Sequence, residues 1–301
     1  TGMTVARLAS LLLGLALSAA ACAVPDFAAV RAAWRPSEAW LLDRRQVPLQ
    51  EMRLDTRVRR TDWSALADIS PAFVGALLHA EDKRFFEHSG VDWLAAGHAA
   101  LGNLFNARPR GASTLSMQLA ALIDADLRAA RGRRGLGEKW DQMQAARDLE
   151  RRWSKAEILE AYANLIPLRG DLVGIDAASR ALFDKRPAGL GPGEAIVLAA
   201  LIRAPNALPA EVARRACALG AGLGQAPDCR ELTALALNSL TGRHPILPAH
   251  DLAPHLATRL LARPGERVVS SVDVRLQRRV RDLLDGQLAR LGARNVHDAA
   301  A

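Results

Sequence analysis

The sequence predicts a mainly α-helical protein with a short β-hairpin near its start, an apolar helix before that hairpin, and the opening of a second folded unit at its end. Three observations carry this prediction. Apolar residues recur at three- and four-residue spacing through much of the stretch from Asp62 to Ile202. Strand-like alternation is confined to a few short runs. Helix-start signatures punctuate the helical part, namely Ser70-Pro71, Ser154-Lys155-Ala156-Glu157 and Pro192-Gly193-Glu194.

Taken in order, the expected segments are a signal anchor or signal peptide over 1–24, a linker with β-strands over 25–60, a helical domain over 61–212, a connecting region over 213–265, and the truncated start of another domain over 266–301. Trp40 to Asp43 and Pro48 to Leu54 read as two strands around a polar turn. A helix follows from Pro71, with Phe73, Ala76, Leu77 and Ala80 on its apolar side. Asn106 to Gly111 is a loop, Ser113 to Leu127 a helix, and Arg128 to Gly137 a basic, glycine-punctuated loop. In the helix expected from Glu138 to Arg152, Trp140, Met143, Arg147 and Glu150 share one side, and Ala145, Ala146 and Leu149 another. Ser154 opens a further helix running through Tyr162, and Ala195 to Ile202 forms an apolar one stopped before Pro205. Beyond Val212 the pattern weakens to loops and less regular helix, until a strand at Arg267 to Val272 and a basic amphipathic helix at Val274 to Leu291.

Composition narrows the function class. Of the 301 residues 50% are hydrophobic and 24% charged, a globular balance rather than a disordered one. The net charge of +8 is nearly all arginine, since only Lys83, Lys139, Lys155 and Lys185 are lysines. Biased nucleotide composition explains this as well as attraction to an anionic surface does. No helix-turn-helix spacing, zinc-ligand pattern or aromatic stacking platform accompanies the charge, so nucleic acid is not an expected partner. Arg7 precedes an apolar run from Leu8 to Val24, long enough at its 17 residues to span a bilayer as a helix. A cleaved signal peptide ending near Ala19-Ala20-Ala21, or a lipid-bearing Cys22, are the competing readings. All three place the body outside the cytoplasm. Cys217 and Cys229 flank a Gly/Ala/Pro-rich stretch and suit either a loop-closing disulfide or two thiols.

The densest polar cluster runs from Glu81 to Asp92. Glu81 ends an apolar helical face, where desolvation disfavours the charged carboxylate and tunes it toward proton transfer. If the helix continues, Glu81, Phe85 and His88 share one face until Gly90 stops it. A second cluster, Gly111-Ala112-Ser113-Thr114 with Gln118, suits a helix start that presents N–H groups to an anion. A third, Arg134 and Lys139 around a glycine loop, suits a phosphate or pyrophosphate. Each cluster alone is more often ordinary surface: a solvated helix end, a plain N-cap, a basic loop. Their order and spacing are not ordinary.

Together they resemble glycosyltransferase family 51, the peptidoglycan polymerase domain of class A penicillin-binding proteins. The first family motif, E-D-x-x-F-x-x-H-x-G-x-D, is matched by Glu81, Asp82, Phe85, His88, Gly90 and Asp92. The second, G-x-S-T-x-x-Q-Q, is matched at Gly111, Ser113, Thr114 and Gln118, with Met117 replacing the first glutamine. Where the third usually reads R-K-x-x-E, this chain has Glu138-Lys139-Trp140-Asp141-Gln142. The fourth, K-x-x-I-L-E-x-Y-x-N, is present at Lys155, Ile158, Leu159, Glu160, Tyr162 and Asn164. The fifth is similar at Gly174-Ile175, Ala178-Ser179, Phe183, Lys185, Glu194-Ala195 and Pro205. Met117 and Gln142 resemble the penicillin-binding protein 1C branch. The tail from Val268 to Asn295 is similar to the entry into that branch's transpeptidase domain, although no S-x-x-K or K-T-G occurs in this chain.

The resemblance implies a lysozyme-like fold anchored at the inner membrane with its catalytic domain in the periplasm. It implies lipid II and nascent glycan strands as substrates, cell-wall synthesis proteins as partners, and no obligatory cofactor beyond divalent-metal assistance. Glu81 is then the general base, supported by Asp82 and Gln142. Phe85, His88, Gly90, Asp92, Gly111, Ser113, Thr114, Gln118, Arg134 and Lys139 contact substrate, and Glu160 and Asn164 brace the site. The apolar stretch Trp93 to Phe105 suits either the bilayer beside the lipid tail or core packing. Two rivals stand beside this reading. A lysozyme-like glycan-cleaving enzyme would need no pyrophosphate cations, and a lipid II-binding scaffold would be consistent with Gln142 and with Ala121 at a position where a basic residue is common.

Overall fold

A computed structural model describes residues 24–97, 113–124, 136–224, 227–242, 245–294 and 298. The N-terminal apolar run up to residue 23, Gly111, Arg134 and the far half of the Trp93–Phe105 stretch lie outside them. Along the chain, α1 (Phe27–Ala33) precedes a hairpin of β1 (Glu38–Leu42) and β2 (Pro48–Arg53). Next come α2 (Pro71–Glu81), α3 (Leu115–Ile123), α4 (Leu136–Arg152) and α5 (Lys155–Leu165). A ribbon of β3 (Pro167–Arg169) and β4 (Leu172–Val173) leads into α6 (Ile175–Phe183) and α7 (Pro192–Ile202). The remainder is α8 (Pro209–Gly220), α9 (Cys229–Leu240), α10 (Pro254–Leu260), β5 (Arg267–Val269) and α11 (Val274–Leu291). Mainly helical architecture with few strands is thus what the chain adopts.

Two compact units result. One comprises Thr1–Ala32 with Phe86–Ile158, the other Ala33–Phe85 with Leu159–Ala301. In the first, α3 packs on α4. Thr114 caps α3 by accepting the Met117 N–H at 3.2 Å, satisfying a donor that the helix itself cannot. The buried side of α4 is Gln142, Ala146 and Leu149, continued by Trp153, an i, i+4, i+7, i+11 stripe. Trp140 points away to solvent, as the two-sided pattern requires. Trp153 stacks edge-to-face on Phe27 at 5.3 Å and donates to the Pro25 carbonyl, which fastens α1 to this unit.

In the second unit α7 is the central element. It is apolar all round, and every residue from Ala195 to Ile202 is buried, as such a sequence demands in water. Helices α2, α8 and α9 surround it. A sheet of order β2-β1-β5 forms a smaller core, with Ala39, Leu41 and Leu49 packed against Ala257, Leu261 and Val274. In that sheet β5 runs parallel to β1, with Leu41 opposite Val268, and Arg267 lies over the Trp40 ring at 4.9 Å.

Two expectations need correction. Helix α2 stops at Glu81, because Asp82 leaves the helical region at φ −158° and ψ 76°. Phe85 falls instead in a single 3-10 turn, Phe85–Glu87, so Glu81, Phe85 and His88 do not share a helix face. Beyond Val212 the chain is not weak helix. It forms α8 and α9, which bury Val212, Ala213 and Ala216 against Leu232, Ala236 and Leu240 in the same unit. A Gly/Pro-containing link joins them. Cys217 and Cys229 are joined as a disulfide across that link, which settles the choice between bridge and thiols.

Replacing both cysteines by serine should lower stability by about 2–4 kcal/mol, the loop-closure contribution expected for so short a cross-link. Denaturant unfolding of the double variant measures it. Gly174, at φ +89°, starts α6 where an added Cβ would lie 2.6 Å from the Asn164 carbonyl oxygen. Gly174→Ala should therefore cost about 2 kcal/mol or more by the same measurement.

Candidate active site

The first-motif carboxylates occupy the end of α2. Glu81 is its last residue, with its side chain only 9% exposed and Oε1 lying 3.7 Å from the Arg203 Nε. Arg203 follows the last residue of α7, and its own side chain is 70% exposed. A carboxylate at a helix C-terminus meets the negative end of the helix dipole, so a nearby cation is the natural compensation. Tyr162, from α5, is fully buried. Burial and, after it, the Glu81 charge hold its phenol well above the usual range, so it stays neutral. Asp82 is buried as the C-cap, donating its N–H to the Leu78 carbonyl at 2.9 Å, and Phe85 is buried in the following turn.

Behind Glu81 in the chain's second unit, Glu160 and Asn164 form a clamp. Glu160 accepts from the Trp63 indole and the Leu66 N–H, both at 2.8 Å. Asn164 accepts from the Ser64 N–H and donates to the Ser64 and Glu160 carbonyls, each at 2.8 Å. Both side chains thus satisfy backbone groups of residues 63–66, a bracing geometry. The fifth-motif residues act likewise. Lys185 donates to Glu194 at 2.7 Å, and the same carboxylate caps α7 by accepting the Gly191 N–H at 2.8 Å.

In the first unit the remaining motif residues converge on a buried carboxylate that sequence reasoning did not single out as functional. Glu150, on α4, accepts from the Ser116 hydroxyl and from Lys155 Nζ at 2.7 Å, and its Oε1 lies 3.9 Å from His88 Nδ1. Lys155 Nζ also donates to the His88 carbonyl at 2.7 Å. Thr114 donates its hydroxyl to the Gly90 carbonyl at 2.6 Å. Gly90 sits at φ +89° where an added Cβ would lie 2.7 Å from the Ala146 carbonyl oxygen. Asp92 accepts the Ala95 N–H at 2.8 Å and so starts the helical turn over 93–97. One residue or more from each of the first, second and fourth motifs is therefore tied to α4.

The other predicted residues divide by exposure. Ser113 and Gln118 are half-buried at the start of α3, and Lys139 is exposed on α4. Gln142 is buried on the packed stripe of α4, and Met117 is buried on α3. Gly111 and Arg134 lie outside the described residues. Arg203 was missed although a lone cation closing an apolar helix was a legible signal. Glu150 was missed because a charge on an amphipathic helix reads as surface.

Comparison with known proteins points one way. A sequence profile described as Transglycosylase matches residues 46–221. Penicillin-binding protein 1C of Escherichia coli (strain K12) is 32% identical over 245 residues, which is 76% of this chain and 30% of that protein. A biosynthetic peptidoglycan transglycosylase of Rhodospirillum centenum is 36% identical over 204 residues, 66% of this chain and 80% of that protein. Another, from Mannheimia succiniciproducens, is 34% identical over 170 residues, covering 56% and 67% respectively. The chain therefore spans under a third of the length of penicillin-binding protein 1C and most of the length of the shorter relatives.

Lys155→Met leaves the buried Glu150 carboxylate without its cation, and should cost about 3 kcal/mol. Adding Glu150→Leu should recover more than half of that, a coupling read from the melting of both variants.

Proposed function

We propose, from the premise that this chain belongs to the transglycosylase family, that it is a peptidoglycan glycosyltransferase with Glu81 as general base. The observation that carries the assignment is the Glu81 carboxylate itself: almost wholly enclosed, on the last residue of a packed helix, with a cation 3.7 Å away. A base must be ionised before the reaction and shielded from bulk water during it, and an enclosed carboxylate beside a cation supports that reading.

The names of the relatives support peptidoglycan as the product. The substrate of this reading is lipid II, with the acceptor a sugar on the same lipid carrier. Glu81 takes the proton from the 4-hydroxyl of the acceptor N-acetylglucosamine. That oxygen forms a bond to the anomeric carbon of the donor N-acetylmuramic acid from the face opposite the leaving group. The bond from that carbon to the diphosphate oxygen breaks, the configuration inverts, and undecaprenyl pyrophosphate departs with the electron pair. Lys139, exposed on α4, together with Arg134, is assigned to the departing diphosphate, where developing negative charge gains from a cation. Ser113, Thr114 and Gln118 are assigned to the donor. Within that set Thr114 acts through the loop it anchors, because its hydroxyl is committed to Gly90.

Gln142 supplies a neutral amide, and no group of three His, Cys, Asp or Glu side chains lies at metal-binding spacing among the described residues. Phe86, Trp93 and Leu94, from the first unit, are 67%, 57% and 64% exposed. Large apolar side chains so open to water support a surface that rests in a bilayer next to the lipid carrier. Among the described residues no helix is long and apolar enough to cross a membrane. The proposed anchor is the apolar run from Leu8 to Val24, with the catalytic body in the periplasm. The lysozyme-like character of the fold belongs to the same proposal. So does the assignment of residues 266–301 to the start of a transpeptidase-like domain, for which the open leucines of α11, Leu276 and Leu283, are the support.

Labelled lipid II, incubated with the wild type and with Glu81→Gln, tests the assignment. The wild type should yield glycan polymer, and the variant should lose at least about a hundredfold in rate with its melting unchanged. Polymerisation by the variant at the wild-type rate would remove Glu81 from the mechanism. Shortened muropeptides from the wild type would point to glycan cleavage, and lipid II bound without turnover to a scaffold.

A further inference from the structure

We infer that Arg203 is a positioning residue for the reaction, holding the Glu81 carboxylate charged and aimed at the point where α2 and α7 both end. The inference rests on the reading of Glu81 as the base. Its own ground is geometry.

Helices α2 and α7 pack together, and each ends at one member of the pair: Glu81 is the last residue of α2, and Arg203 is the C-cap of α7. The C-terminal end of a helix carries partial negative charge and carbonyl groups without partners in the helix. A carboxylate placed at such an end, with 9% of its side chain exposed, is disfavoured as an anion. Arg203 answers that charge from a side chain that is 70% exposed, so its guanidinium remains largely hydrated while the carboxylate it serves is not. The pair is asymmetric by design of position. Ordinary surface ion pairs hold two wet partners together and change little. Here one partner is nearly dry.

The separation also fixes the kind of interaction. At 3.7 Å the Nε–Oε1 contact is longer than a hydrogen bond. Arg203 therefore acts on that oxygen as a charge rather than as a rigid donor, and a lysine of similar reach should do the same work. Among the described residues, the charged groups on the elements packed with α2 have other partners or are exposed. On α5 the group facing Glu81 is the Tyr162 phenol, which is neutral. On α8, Glu211 pairs with Arg214 and Arg215. On α7, Glu194 pairs with Lys185. On the segment of Glu81 itself, burial and the neighbouring Lys83 hold His79 below its ordinary range, hence uncharged at neutral pH. Lys83 is exposed.

The sign of the effect follows. A base works in its deprotonated form, so removing a cation beside it extends the protonated, inactive form to higher pH. Rates of lipid II polymerisation, measured as kcat/KM across the acid and neutral range, read the free enzyme's base directly. Arg203→Gln and Arg203→Met should displace the acid limb upward by about one pH unit, roughly a tenfold loss on that limb, with a smaller loss on the neutral plateau. Arg203→Lys should return the limb to its wild-type position. A limb that stays in place in both neutral variants overturns the inference. So does a rise in KM alone, which would make Arg203 a substrate contact instead. Glu81→Gln, assayed in parallel, separates the two failures. If that variant is active, the base assignment itself falls. If it is dead while the Arg203 variants keep the wild-type limb, only the role of Arg203 falls.

Discussion

The packing of α2 on α7 is the contact on which the proposed chemistry depends. Because α7 is apolar on every side, it can be satisfied only when fully enclosed, and α2, α8 and α9 enclose it. That requirement fixes where α2 lies. Pro71 pre-sets its first turn, and Phe73, Ala76 and Leu77 commit one face to the core. The opposite end of the same helix then delivers Glu81 to a fixed place. A carboxylate held on a loop would sample many positions, and a base must occupy one. Here the placement of the proposed base is inherited from a helix that is apolar on every side.

How far the sequence could be read follows from what kind of information each feature needs. Helix starts were legible, since a cap or a proline at the first turn is a local signal, as at Ser154 with Glu157 and at Pro71. The motif pattern was legible for the same reason. The end of α2 was not. The spacing of Glu81, Phe85 and His88 continues a helical period past the point where the backbone breaks, and nothing local at Asp82 announces an extended φ. Side-chain periodicity reports which residues could share a face, and the backbone decides whether they do. Long-range partners were illegible altogether. Arg203 meets Glu81 only because two helices distant in sequence stop side by side, and β5 finds β1 across most of the chain.

A motif match also fails to sort residues by role. Within the same family pattern, Glu81 ends a helix, while Glu160 and Asn164 brace residues 63–66, through the Trp63 indole, the Leu66 N–H and the Ser64 backbone. Thr114 and Gly90 close one loop on another in the first unit, and Lys155 neutralises a carboxylate whose side chain is only 5% exposed. These are the uses expected of buried polar groups, which must be partnered or be costly. Sequence names the residues; only the partner of each oxygen and nitrogen tells a brace from a reagent.

The departures from the family pattern can be understood on the same terms. Met117 and Gln142 both lie on buried faces, the first of α3 and the second on the packed stripe of α4. A thioether is at home there, and an amide is far cheaper to enclose than an ionised carboxylate, which would demand its own cation or accept a proton. Replacing glutamate by glutamine at such a position removes a charge that the packing would have to support. It also removes an alternative base. In the second unit the proposed base, Glu81, has a cation 3.7 Å away while its own side chain is only 9% exposed.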